Sequence, residues 1–154
     1  MRSIWVWLLL GALVVGGGVA VYKARGLRNN NPGNLRASDR YSWQGQVGVD
    51  ADGFVIFDRW QAGMRALMIN LRNQQNIHGL DTVADIITKY APPSENDTAA
   101  YIGAVSNALG VTPGQRISLR DPAVLSAFAQ AVTRHENGLM PYDLAAVDAV
   151  AAAA

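Results

Sequence analysis

Two glutamates, Glu95 and Glu136, are all that this chain contains, and their settings differ. Glu136 sits in "RHENG" near the C-terminus. Successive residues of a helix turn by about 100°, which puts Leu125, Phe128, Ala129, Val132 and Glu136 on one stripe and points Arg134 away from it. A carboxyl therefore falls on an apolar face, in a last turn. Burial disfavours its ionised form, and the negative end of the helix dipole does the same. Both effects raise its pKa, as a general acid working near neutral pH requires. The blander reading is a carboxylate at the rim of the core, paired with an arginine.

Glu95 has the opposite setting. It lies in "PPSENDT", before a helix that Ser94, Asn96 or Asp97 can cap. A helix N-terminus keeps a nearby acid ionised. Glu95 is thus either a solvated residue of a capping region or a charged partner for a developing cation. The third chemical feature is "NNNPGN". Asn29, Asn30, Asn31 and Asn34 offer amide donors and acceptors, on a turn that Pro32 and Gly33 fix. Such amides can hold the N-acetyl and hydroxyl groups of a sugar, or bond within their own loop.

Composition removes other chemistries. The 154 residues carry a net charge of +1, too little for a nucleic-acid footprint. Without cysteine there is no disulfide or thiol chemistry. His78 and His135 are the two histidines and stand far apart, which disfavours a zinc site and a metal-dependent endopeptidase. No metal and no cofactor is expected.

The elements that must position these residues follow a membrane-like segment. Ser3 to Tyr22 is uncharged and long enough to cross a hydrocarbon core of ~30 Å. Trp5, Trp7 and Tyr22 sit where interfacial anchors do. The segment reads as a transmembrane helix over residues 1–24, with 4–22 in the membrane. The alternative is a cleaved signal peptide with small residues Gly18 and Ala20. Lys23, Arg25, Arg28 and Arg36 outnumber Arg2, so the positive-inside rule favours a cytoplasmic domain. Gly11, Gly16, Gly17 and Gly18 weaken the span or allow close helix packing.

Beyond it, "QVGV" and "FVIF" flank "DADG", which predicts a β-hairpin over Gln46 to Phe57. Trp60, Met64, Leu67, Met68 and Leu71 form one helical stripe. Val83, Ile86, Ile87 and Tyr90 form a second, which stops before Pro92. Tyr101, Ile102, Val105 and Leu109 form a third, ended by Gly110. The clearest helix starts with Asp121 as N-cap and Pro122 at its first position and ends at Gly138. The Ala-rich tail, 143–154, is expected to be a helix that frays. The fold class is α+β, mainly α, with the working domain over 25–142.

In order, "RGLRNNNPGNLR", "WQGQVG", "FVIFDRWQAGMRAL", "YAPPSENDTAAYI" and "RHENGLMPY" resemble a family of small phage-encoded proteins, variously structural proteins or lysozyme-like peptidoglycan hydrolases. The resemblance runs from Arg25 to Tyr142. A second likeness is to lytic transglycosylases, where a helix ends in a glutamate, then come an Asn-rich turn, a short β region and more helices. "HENG" is similar to that helix end, "NNNPGN" to that turn, and "YAPPSENDTAAYI" to a later segment that helps line the sugar cleft. Here "HENG" comes last. The resemblance therefore implies a circularly permuted lysozyme-like domain, which needs only neighbouring termini in the parent fold.

What the resemblance implies is a membrane-anchored phage enzyme that cuts the glycan strand of peptidoglycan. Glu136 would be general acid and base, with Glu95 as a second catalytic candidate. Asn30, Asn31, Asn34, Asn96 and Tyr101 would bind sugar. A muramidase normally adds a second carboxylate, whereas a lytic transglycosylase can work with one. The scarcity of paired acids favours the latter. The expected partners are peptidoglycan, a membrane and other virion membrane proteins. The expected place is a virion's internal membrane or the bacterial inner membrane, with the domain reaching the periplasm. The competing reading is a non-catalytic virion protein whose lysozyme-like domain binds glycan.

Overall fold

The computed structural model describes residues 24–154. The expected transmembrane helix lies outside them. Among the described residues no helix is long and apolar enough to cross a membrane.

The described residues begin with α1 (Arg25–Arg28), a single turn, and then the asparagine loop. Two short strands follow, β1 (Gln46–Val49) and β2 (Val55–Phe57), paired antiparallel with an irregularity between Gln46 and Gly48. The Asp50 carboxylate closes the hairpin by accepting from the Asp52 and Phe54 amides. Five helices complete the described domain: α2 (Trp60–His78), α3 (Val83–Tyr90), α4 (Thr98–Leu109), α5 (Pro122–Asn137) and α6 (Leu144–Ala153). This is the mainly helical α+β arrangement the periodicity predicts, with one hairpin.

Local chemistry sets the helix limits. Thr82, Asp97, Asp121 and Asp143 cap α3, α4, α5 and α6 by accepting a backbone amide from their first turns. Gly79, Gly110 and Gly138 end α2, α4 and α5 in the left-handed conformation. Of the three residues that could cap α4, Asp97 is the one that does.

α5 lies at the centre. Its Leu125, Phe128, Ala129 and Val132 are buried against Met64, Leu67 and Met68 of α2, Tyr101 and Val105 of α4, and Val147 and Ala151 of α6. The C-terminal tail is thus part of the same core rather than a loose extension, because Val147 and Ala151 give α6 an apolar face to bury. A smaller cluster of Leu35, Val55, Phe57, Ala62 and Ala66 fixes the hairpin and the asparagine loop to α2.

Candidate active site

The asparagine loop is built by its own side chains. Asn31 is fully buried, and its amide nitrogen donates to the Leu35 and Val55 carbonyls, both at 2.9 Å. Its side-chain oxygen accepts from the Leu35 amide at 2.8 Å. Asn30 adopts a left-handed φ of 51° and donates to the Phe57 carbonyl at 3.0 Å. Asn29 donates to the Asp50 carboxylate at 2.7 Å, so the hairpin turn and the asparagine loop hold each other.

The loop is then pressed onto the helices. A Cβ on Gly63 of α2 would lie 1.9 Å from the Asn30 carbonyl oxygen, so only glycine allows this approach. The Tyr90 hydroxyl at the end of α3 donates to the Gly33 carbonyl. Asn137, at the end of α5, donates to the Pro32 carbonyl at 2.8 Å and to the Thr133 carbonyl at 2.9 Å. Residues from both ends of the described chain therefore meet at one place.

Glu136 stands at that meeting point. Its carboxyl is partly buried, with one oxygen accepting from the Tyr101 hydroxyl and the other from the Asn34 amide, each at 2.9 Å. Asn34 takes the left-handed φ of 49° in presenting that amide. The blander expectation for Glu136, an arginine partner, is not met: among the described residues it has no ion pair. Burial pushes its pKa up, and the Asn34 and Tyr101 hydrogen bonds pull it back only in part. Tyr101 is itself held neutral, its pKa raised by burial and by the neighbouring Glu136 charge. His135 covers it from outside, its ring stacked on the Tyr101 ring with centroids 3.7 Å apart. Burial lowers the His135 pKa, partly opposed by the Asp97 charge.

The carboxyl thus sees opposing influences. Desolvation favours its neutral form, while two neutral donors favour its charged form. Such a group can give up a proton and hold the resulting charge without a cationic partner. A shallow hollow of about 320 Å³ is lined by Ala104 and Ala108 of α4 and by Ala131, Arg134 and His135 of α5, and Glu136 is not among its lining residues.

The other sequence candidates fall elsewhere. Glu95 is exposed in the turn before α4, and among the described residues its carboxylate has no hydrogen-bonding or ionic partner. The Asn96 amide donates to the Pro92 carbonyl at 3.3 Å, inside its own turn. Asn31 is corrected from a sugar contact to a structural residue, because every polar atom of its amide is engaged within the fold. Asn30 also spends its amide inward. Of the asparagines in the loop, Asn34 is the one bonded to Glu136. Sequence reasoning missed Tyr90, Asn137 and Gly63. Tyr90 lay on a core stripe and gave no sign that its hydroxyl would find the loop. Asn137 directly follows Glu136, and that adjacency was the available signal.

No protein-family model matches the chain. Over 123 residues it is 38% identical to Protein P5 of Pseudoalteromonas phage PM2, an alignment that spans 77% of this chain and 74% of that protein.

Proposed function

The chain belongs to the family of Protein P5 of Pseudoalteromonas phage PM2, and from that premise we propose that it is a phage protein whose Glu136 cleaves the glycan strand of peptidoglycan. The observation that carries this reading is the paired contact of Glu136 with Tyr101 and Asn34. Glycosidic cleavage begins with a proton delivered to the leaving oxygen. A carboxyl whose pKa is raised by burial keeps that proton closer to neutral pH.

The reaction we infer is that of a lytic transglycosylase. Glu136 protonates the glycosidic oxygen, and the bond from that oxygen to the anomeric carbon breaks. The departing sugar leaves as an alcohol, and positive charge develops at the anomeric carbon. Glu136 is now a carboxylate, stabilised by the Tyr101 and Asn34 donors. It then removes the proton from the sugar's own primary hydroxyl, whose oxygen closes onto the anomeric carbon. The product is an anhydro sugar, and Glu136 regains its proton. No second carboxylate is bonded to Glu136 or its two donors among the described residues, which favours this route over one with a separate base. In this reading the domain is a circularly permuted lysozyme-like one, and residues 4–22 anchor it to a membrane, with the wall within reach.

The test is zymography on purified peptidoglycan with the full chain in detergent, beside Glu136→Gln. The parent should clear the wall, and the variant should lose roughly 10²–10⁴-fold in rate. Mass spectrometry of the released fragments should give anhydro ends. Reducing ends would replace the transglycosylase with a hydrolase. A folded parent that pellets with walls but never clears them would replace the enzyme with a glycan-binding virion protein.

A further inference from the structure

A second concavity lies on another face of the domain. It is a groove of about 430 Å³ between the turn at Gln44 and Gly45, the start of α2, and α6. Its volume suits a ligand of a few residues. The α6 wall consists of Ala146, Ala149, Val150 and Ala153, spaced so that all share one helical face. A neighbouring face of α6 buries Val147 and Ala151 in the core, and Val150 also packs against that core. Across the groove stand Arg59, Gln61 and Arg65.

The charge of the groove is one-sided, since no acid is among its lining residues. Arg65 has no ionic partner among the described residues. Arg59 has only the adjacent Asp58, at 3.5 Å and with both side chains exposed. A pair so exposed is weak and exchanges readily for a better carboxylate. Guanidinium groups are suited to carboxylates in particular, which they bind through paired N–H donors. The amides of Gln44 and Gln61 match a peptide backbone, offering both donors and acceptors. The α6 wall of Ala146, Ala149, Val150 and Ala153 offers an apolar surface against which methyl groups can pack.

We propose that this groove binds an acidic, alanine-rich peptide: the stem peptide attached to the glycan strand. The choice of that peptide rests on the proposed function. Its carboxylates would meet Arg59 and Arg65, its amides Gln44 and Gln61, and its methyl groups the α6 wall. The groove would then hold a strand by its peptides while Glu136 acts on its sugars.

The experiment is isothermal titration of the full chain in detergent, as Glu136→Gln, with the synthetic sugar-free peptide N-acetyl-L-Ala-γ-D-Glu-L-Lys-D-Ala-D-Ala, whose acylated N-terminus leaves its carboxylates in excess. Measurable binding is expected, weakened roughly 10-fold or more in the double variant Arg59→Gln and Arg65→Gln. A peptide with its carboxylates amidated should lose the same factor. Ala149→Trp should fill the groove and abolish binding, with its circular dichroism spectrum unchanged. No binding, or equal affinity for parent and double variant, overturns the proposal. So does arginine-dependent binding to phosphatidylglycerol vesicles without peptide binding. Because the titration needs no cleavage, failure of the groove and failure of Glu136 catalysis are read separately.

Discussion

A Tyr101 hydroxyl and an Asn34 amide on the two oxygens of Glu136 make the carboxyl's charge tolerable, and each is testable alone. Tyr101→Phe removes a donor that favours the ionised form while leaving the buried ring in place. The pKa of Glu136 should rise further, and the alkaline limb of the kcat–pH profile should move up. The rate should fall by roughly 10-fold or more, the size of one charge-assisted hydrogen bond lost from the ionised state. A lower rate with an unmoved limb would reduce Tyr101 to a packing residue. Glu136→Gln should fold, because a glutamine can accept from Tyr101 at one end. At its other end it can donate to the Asn34 side-chain oxygen, which is buried without a partner among the described residues. Glu136 was legible in the sequence because its stripe is a property of one helix. Asn34 was legible only as one of several asparagines, since their chemistry is identical until the loop is folded.

At the scale of elements, the asparagine loop depends on contacts made after the helices pack. Asn31→Ala would leave the Leu35 amide and the Val55 carbonyl without the partner Asn31 gives them, while the Leu35 carbonyl keeps the Val55 amide. Each buried unsatisfied group costs about 1–3 kcal/mol, so urea unfolding should show a loss of roughly 2 kcal/mol or more. Gly63→Ala would place a methyl against the Asn30 carbonyl oxygen. Overpacking of that kind costs about 1–3 kcal/mol. The loop should lift from α2, and cleavage should fall with stability. If Gly63→Ala matched the parent in both unfolding and activity, the loop would not rest on α2. The hairpin and the helix ends were readable from local turn and capping chemistry. The single turn of α1 was not, because its four residues are too short for any periodicity. The burial of Asn31 was not readable either, since a polar side chain gives no sequence sign that its partners lie across the fold.

At the scale of the whole molecule, the site acts on stability through pH. The folded pKa of Glu136 lies above its ordinary value of 4.5. The folded state therefore binds this proton more tightly than the unfolded chain. The contribution is full below pH 4.5 and is lost as pH rises through the folded value. His135 works the other way: its folded pKa is below 6.5, so protonation as pH falls from that value costs stability. Comparing parent with Glu136→Gln isolates the carboxyl. Across pH 4 to 8, roughly the range over which such a group titrates, the parent's urea midpoint should fall relative to that of the variant as pH rises. A difference that stays flat over this range would mean that Glu136 has no raised pKa.

The sequence by itself determined the helical class, the hairpin, the caps and the place of one carboxyl at the end of an apolar stripe. Those depend on neighbours a few residues apart, whose geometry the backbone repeats. Only the tertiary structure decided which polar groups meet that carboxyl. It brought Asn34 to Glu136 across 102 positions of sequence, left Glu95 exposed and turned Asn31 inward. A hydrogen bond between distant residues exists only once the core has set their distance, and no local pattern encodes that distance.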